Sequence, residues 1–467
     1  MKNFGRKVTL TGLILTSVFL SFADTAVLLT LSEAEETAVQ NSFTSRKQRY
    51  EMKAMDWERK NVASSYLPSV NYNFNYLRMD QTSVEQANSA FRGIKLLLES
   101  LAPVIGLPPD VVEQFSENPN ELFENSFSHE LTVSQPLFNG GVEIATLNLA
   151  NANRLALIHQ HRAETQRTIL LTRRAYLDAL SAQLALTLGE KSLDWAKQNL
   201  KNTSLRFQIG SVPKTDLLGW EIEVAKKENE LLAAQTAHKA SLVALYHTMG
   251  KSSTDTDLYI RLQNIDYFEN LNSIKTVGIS EYSVENNPAL LSIRAYSELA
   301  SRSKSVALSQ FLPRINAFFS YRWNAWDKIR PHDTYRGWTA GAVLSVPLFS
   351  GFRNSTNYQK VKYEYLKSVV TYEEFHSQLQ GNLQALLWRQ ESMQAGIAVS
   401  SKQITLMERQ LELMQQRYDG GLINQSQLLE IELGLRQAQI AYAQSLFNSF
   451  INHAEIELIT GNLESMQ

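Results

Sequence analysis

The sequence predicts a mainly α fold with a β-barrel part, built from two copies of one helix–strand–strand–helix–helix unit. Three observations carry this. A series of motifs recurs at one fixed offset. A long Pro-free stretch and its repeat hold apolar residues every seven positions, over a length no globular domain spans. Four short segments alternate apolar and polar residues, with aromatic residues gathered on one side.

The duplication has an offset of 211. Ser134, Pro136, Leu137, Phe138 and Gly140 recur as Ser345, Pro347, Leu348, Phe349 and Gly351. Arg206, Phe207 and Gly210 recur as Arg417, Tyr418 and Gly421, and Gly250 recurs as Gly461. Upstream the offset is 245, which aligns Leu67 and Pro68 with Leu312 and Pro313. The difference of 34 residues is extra sequence in the first half, between Pro68 and Pro136.

Composition excludes several classes. Among 467 residues, 45 Lys+Arg face 47 Asp+Glu. That near balance argues against a nucleic-acid partner, which asks for a basic surface. There is no Cys, so disulfide frameworks, thiol catalysis and Cys-ligated zinc are excluded.

Residues 1–23 read as a secretory signal. Lys2, Arg6 and Lys7 precede an apolar run from Val8 to Phe22, and small residues surround a cleavage site after Ala23. No later run approaches the ~18 apolar residues of a spanning helix, which says nothing of a β-barrel.

Each half then follows one plan. The first repeat covers 24–250 and opens with a helix from Thr30 to Leu67. Strands are expected at about 69–79 and 128–136, with the insert at about 80–127 between them. Val70, Tyr72, Phe74 and Tyr76 alternate with Asn71, Asn73 and Asn75. Such strands face either lipid or the core of a soluble sandwich, and no second sheet of comparable apolarity is on offer as that core. Four strands cannot close a barrel, so the chain is expected to oligomerise. In the insert, Ile94, Leu97, Leu98 and Leu101 have helical spacing. This is either a helix folded over the barrel mouth or a surface excursion without a role.

From Gly141 to Gln208 there is no Pro, and Leu186, Leu193, Leu200 and Phe207 fall every seven residues. A helix of ~67 residues is about 100 Å long. A turn at about 206–217 leads to a helix ending at Met249. Gly210 suits a C-terminal cap, and Pro213 and Thr215 suit the next helix start. Residues 251–280 form a linker. The second repeat, 281–461, has helices at about 279–311 and 425–460, strands at about 314–324 and 336–347, and a turn at about 417–428. A short tail, 462–467, follows.

No enzymatic motif survives inspection, and no cofactor or metal site is expected. Gly250-Lys251-Ser252 lacks the upstream Gly of a phosphate-binding loop and reads as a helix cap. His159 and His161 point to different faces of a helix and read as solvated. A structural coiled-coil scaffold of the cell surface is the rival reading. It predicts no aromatic alternating strands.

Taken in order, the motifs resemble the TolC-like outer membrane efflux family. They are Leu29–Ala34 and Val277–Ser283 at helix starts, Pro68 and Pro313 before strands, Gln135–Gly141 and Val346–Phe352 at strand ends, and the turns Arg206–Leu218 and Arg417–Leu429. The resemblance implies a homotrimer in the outer membrane of a Gram-negative bacterium, with a 12-strand barrel and a periplasmic helical tunnel. It implies a periplasmic adaptor and an inner-membrane transporter as partners, in efflux or type I secretion. The linker 251–280 would girdle the tunnel. Many relatives carry a lipidated Cys at the mature N-terminus, which this chain lacks.

Site residues follow from the same resemblance. Gly210, Ser211 and Val212 with Gly421, Leu422 and Ile423 would be tips where the adaptor docks. Thr215, Asp216 and Tyr418 would make tip hydrogen bonds that close the tunnel. Gln427 and Glu430 would face the lumen where relatives often carry acidic residues. The plainer reading of Asp216 is an acidic helix start favoured by the dipole.

Overall fold

The computed structural model describes residues 28–106, 108, 122–252, 261–263, 282–326 and 336–466. The secretory segment 1–23 and most of 251–280 lie outside the described residues. The elements are β1 (Leu28–Leu29), α1 (Leu31–Asn41), α2 (Phe43–Ser64), β2 (Ser69–Arg78), α3 (Gln81–Ile105), β3 (Asn125–Asn139), α4 (Val142–Gln208) and α5 (Lys214–Thr248). After them come β4 (Arg261–Leu262), α6 (Pro288–Ser309), β5 (Arg314–Trp326), β6 (Arg336–Ser345), α7 (Arg353–Asp419) and α8 (Gln425–Thr460).

The two long helices, α4 and α7, have 67 residues each. They form the frame of a one-layer strip. Near the sheet the strip runs α2–α4–α6–α7, and towards the turns it runs α5–α4–α8–α7. One edge is therefore α2 followed by α5, and the other is α7 along its whole length.

The first expected helix, Thr30 to Leu67, is broken. Ser42 ends α1 and caps α2, accepting a hydrogen bond from the Ser45 N–H at 3.2 Å. The cause is a close approach. Gly250 sits at φ +70°, and a Cβ there would lie 2.3 Å from the Asn41 carbonyl oxygen. The second half repeats this: Gly461, at φ +79°, lies against Asn286 in the same way. There the helix begins at Pro288 rather than near 279. Proline lacks an N–H and its fixed φ suits the first helical position, after the Asn287 cap. With these corrections α2 and α6 have 22 residues each.

The sheet is antiparallel in the order β2–β3–β5–β6, leaving β2 and β6 as edges. Its register sorts the side chains cleanly. Tyr72, Leu131, Tyr321 and Trp338 align across all four strands, so they share a face. Asn71, Thr132, Ser320 and Thr339 align on the other. The apolar face carries stacked rings, as between Tyr76 and Phe127 at 5.0 Å. On the polar face Glu130 accepts hydrogen bonds from Ser320 at 2.6 Å and Arg322 at 3.0 Å.

At mid-length α1 packs on α4 over a core of Leu31, Ala34, Tyr176, Leu180, Leu245 and Leu446. Beside it Arg173, with 4% of its side chain exposed, pairs with fully buried Glu35. Arg173 also reaches Glu457 at 3.3 Å and the Glu464 carbonyl at 2.7 Å. The Met466 N–H donates to Glu35 at 2.9 Å. The short tail 462–466 is thus tied down against the core, with Leu463 buried in it.

Helix α3 occupies the insert. Asp80 caps its start, donors and acceptors of Asn88 hold the returning chain at Leu122, and Gly106 ends it in the left-handed region. Ile94, Leu97 and Leu101 are exposed.

Candidate functional site

The two turns lie side by side at the end of the strip opposite the sheet. Both use one local solution. After α4, the Gly210 N–H donates to the Phe207 carbonyl and the Ser211 N–H to the Arg206 carbonyl, each at 2.9 Å. After α7, Gly421 donates to Tyr418 at 3.0 Å and Leu422 to Arg417 at 2.9 Å. This paired pattern needs a positive φ at its central residue, +74° at Gly210 and +71° at Gly421. The helices that follow start differently. Pro213 occupies the cap position of α5 and offers no side-chain bond. Asn424 caps α8 in a reciprocal box with Gln427, at 3.0 and 3.2 Å.

Apolar residues protrude at these turns. Ile209 is 80% exposed and Leu422 is 77% exposed, while Val212 and Ile423 are half-buried.

The turns are tied to each other. Arg206 donates to the Asp419 carbonyl at 2.9 Å and reaches its carboxylate at 3.2 Å. The Tyr418 hydroxyl accepts a hydrogen bond from the Trp220 indole N–H at 2.7 Å. Trp220 is fully buried against Ala196 and Leu428, edge-on to Trp195 at 5.5 Å. Sequence reasoning singled out Tyr418 but missed Trp220. Within the chain, the Thr215 hydroxyl meets the Asp216 carboxylate at 3.3 Å. Gln427 spends its side chain on the α8 cap, and Glu430 is exposed.

One turn further from the tips sits a buried charge cluster that the sequence did not announce. Lys227 of α5, with 3% of its side chain exposed, lies 3.2 Å from Glu432 of α8 and 3.5 Å from Glu223. Ser192 of α4 donates to Glu432 at 2.6 Å, and Arg436 reaches Glu230 at 2.8 Å. Burial pushes the Glu230 carboxyl up. The Arg436 hydrogen bond and the charges of Lys227 and Arg436 outweigh it and hold the group below its ordinary range. Together the cluster and the Trp220–Tyr418 bond join the first hairpin, α4–α5, to the second, α7–α8.

His159 departs from its solvated reading. Its Nδ1 is buried without a hydrogen-bond partner. Burial, and then the charge of Arg162, lower its pKa. Among the described residues no cluster of metal-binding side chains occurs, and no helix is long and apolar enough to cross a membrane.

A strip of very long helices under a small sheet with one aromatic face is the fold class of the outer membrane efflux channels, a helical-tunnel part joined to a β part. A model of the outer membrane efflux protein family matches residues 35–251 and 280–462. The chain belongs to that family, which resides in the Gram-negative outer membrane. It is 22% identical over 289 residues to the outer membrane protein TolC of Vibrio cholerae, covering 60% of this chain and 64% of TolC. Among solved structures it is similar to the CmeC outer membrane channel of Campylobacter jejuni, with a TM-score of 0.70, 15% identity, and 94% of this chain and 87% of that chain covered. It is likewise similar to the open-state MtrE outer membrane channel of Neisseria gonorrhoeae, with a TM-score of 0.69, 15% identity, and coverage of 93% and 90%. At these identities the structural likeness speaks for the fold alone.

Proposed function

We propose that three copies of the chain close into a channel-tunnel, the exit duct of a tripartite efflux or type I secretion system. A periplasmic adaptor and an inner-membrane transporter would complete it. The observation that carries this reading is the pair of open edges. In the sheet, β2 and β6 leave a row of backbone groups unpaired, which a lipid environment does not tolerate. The matching helix edges are exposed and patterned. On α5, Leu218, Ile222, Leu232 and Val243 lie in one heptad register and face outward. On α7, Val399, Leu406 and Leu413 repeat every seven residues and do the same. Edges of opposite kind on the two sides of one strip generate a closed ring, β6 to β2 and α7 to α5 of the next copy.

In this assembly the aromatic sheet face meets lipid and the polar face lines water. Protruding Ile209 and Leu422 offer apolar contacts to the adaptor, beside Gly210, Ser211, Val212, Gly421 and Ile423. The gate is the inter-hairpin tie of Tyr418 to Trp220 and Arg206 to Asp419, with Thr215 and Asp216 at its rim. Glu430, repeated three times round one axis, favours cations. The cell-surface scaffold reading leaves the aromatic strands without a purpose.

The test is conductance in planar bilayers with native mass measurement. The parent is expected to be trimeric and to conduct poorly. Tyr418→Phe with Arg206→Ala is expected to raise single-channel conductance while the trimer persists. A folded, non-conducting monomer in detergent would refute the duct.

A further inference from the structure

A cleft opens where the sheet meets the helices of the second half, between the end of α6, the start of β5, the end of β6 and the first turns of α7. The cleft measures about 840 Å³ and is lined by Arg314, Arg353 and Lys360 together with Gln310, Asn354 and Asn357. No carboxylate lines it. Arg314 and Arg353 make no ion pair among the described residues, and both are exposed. Lys360 has Glu364 at 3.8 Å, a pair whose members are 72% and 58% exposed.

The register fixes which side of the sheet the cleft occupies. Arg314 pairs with Ser345 and shares parity with Asn316, Ser320 and Arg322. That is the polar face, the one carrying Glu130 and Thr132, not the face of Tyr321 and Trp338. In an outer-membrane protein the aromatic face takes the lipid, so the cleft opens on the water side.

The charge is not a by-product of the duplication. The repeat-mates of Arg314, Arg353 and Lys360 are Ser69, Val142 and Leu149. The mate of Asn354 is Glu143, so the same corner of the first half carries a carboxylate and no cation. One corner of one scaffold is basic and the other acidic, which shared folding needs do not explain.

We propose that this cleft is a transit site for oxyanions, meaning phosphate- or carboxylate-bearing cargo, at the foot of the barrel. The proposal rests on the duct reading and adds a cargo chemistry to it. Two guanidinium groups suit the planar, two-point geometry of an oxyanion, and the ammonium adds a point charge. The neighbouring amides offer neutral donors. In a ring of three chains the clefts form one positive belt, and a constricted belt of one sign concentrates its counter-ion.

Tripolyphosphate is the probe, added on the barrel side of the parent trimer in phosphatidylcholine bilayers. It is expected to block current, and Arg314→Gln with Arg353→Gln to raise the blocking concentration by roughly tenfold. Lys201→Gln, which removes a charge far from the cleft, is expected to leave the block unchanged. Equal block of parent and double variant overturns the proposal, as does an equal loss in Lys201→Gln. Current without block in the parent also overturns it and leaves the duct standing. If no current flows, titration calorimetry of tripolyphosphate on the detergent-solubilised protein decides the cleft by the same tenfold comparison, and a folded monomer in detergent is what fells the duct. Phosphatidylglycerol retained by the parent and lost by the double variant, without tripolyphosphate binding, makes it a lipid headgroup site and overturns the oxyanion-cargo assignment.

Discussion

The two halves of this chain share a skeleton and divide the chemistry. Helices α4 and α7 have equal length, and each ends in the same paired hydrogen-bond pattern around a left-handed glycine. Yet Gly141, at φ +70° before α4, is matched by Phe352, at φ +62° before α7. A left-handed phenylalanine costs roughly 1–2 kcal/mol that glycine avoids. Lys227 and Arg436, which organise the buried cluster near the tips, are matched by Ala438 and Ala225. Arg173, which holds the tail, is matched by Gln384. Backbone geometry is therefore what the duplication preserves, while buried charge belongs to one half at a time.

That contrast is sharpest at Arg173. Arg173→Ala leaves Glu35 buried and unpaired, so a loss of about 3–5 kcal/mol is expected in denaturant unfolding. Gln384→Ala at the mate position is expected to stay within about 0.5 kcal/mol. Equal losses would mean that the halves share their stability after all.

The helix starts after the two tips give a smaller contrast. Asn424→Ala removes a reciprocal cap and is expected to cost about 1 kcal/mol. Pro213→Ala removes no side-chain bond, so its thermal midpoint is expected to move less.

The smallest effect is in acid. Glu230 is held below its ordinary value, so its contribution is present above pH 4.5, the unfolded value, and is lost as pH falls through the folded one. Glu230→Gln is expected to flatten the decline of stability below pH 4.5. Ala441, its mate, has nothing to titrate. An unchanged acid limb would show that Arg436 and Lys227 do not set this carboxylate.

The fold class was legible because it is periodic. Heptads, two-residue alternation and a constant offset all survive in one dimension, and they led to long helices and an aromatic-faced sheet. Breaks that depend on contact did not survive. Nothing near Ser42 says that Gly250, far along the chain, will press on it. Trp220 and Tyr418 are 198 residues apart, so their bond has no local signature. Some signals were present and unused. Asn287-Pro288 spells a cap followed by a first-turn proline, and Asn424 with Gln427 three positions later spells a capping box. The candidate site was thus readable as a pair of glycine turns, and unreadable as a tie between them.

Because α4 and α7 are unbroken, they behave as stiff levers. The grip around Arg173 lies 35 residues from the end of α4, which is about 50 Å along the axis. If that grip is the fulcrum, a tilt of roughly 5° sweeps the tip through about 4 Å. Such a displacement exceeds the reach of the Trp220–Tyr418 hydrogen bond. Opening at the far end then asks for no unfolding and no hinge, only a small swing about a fixed waist.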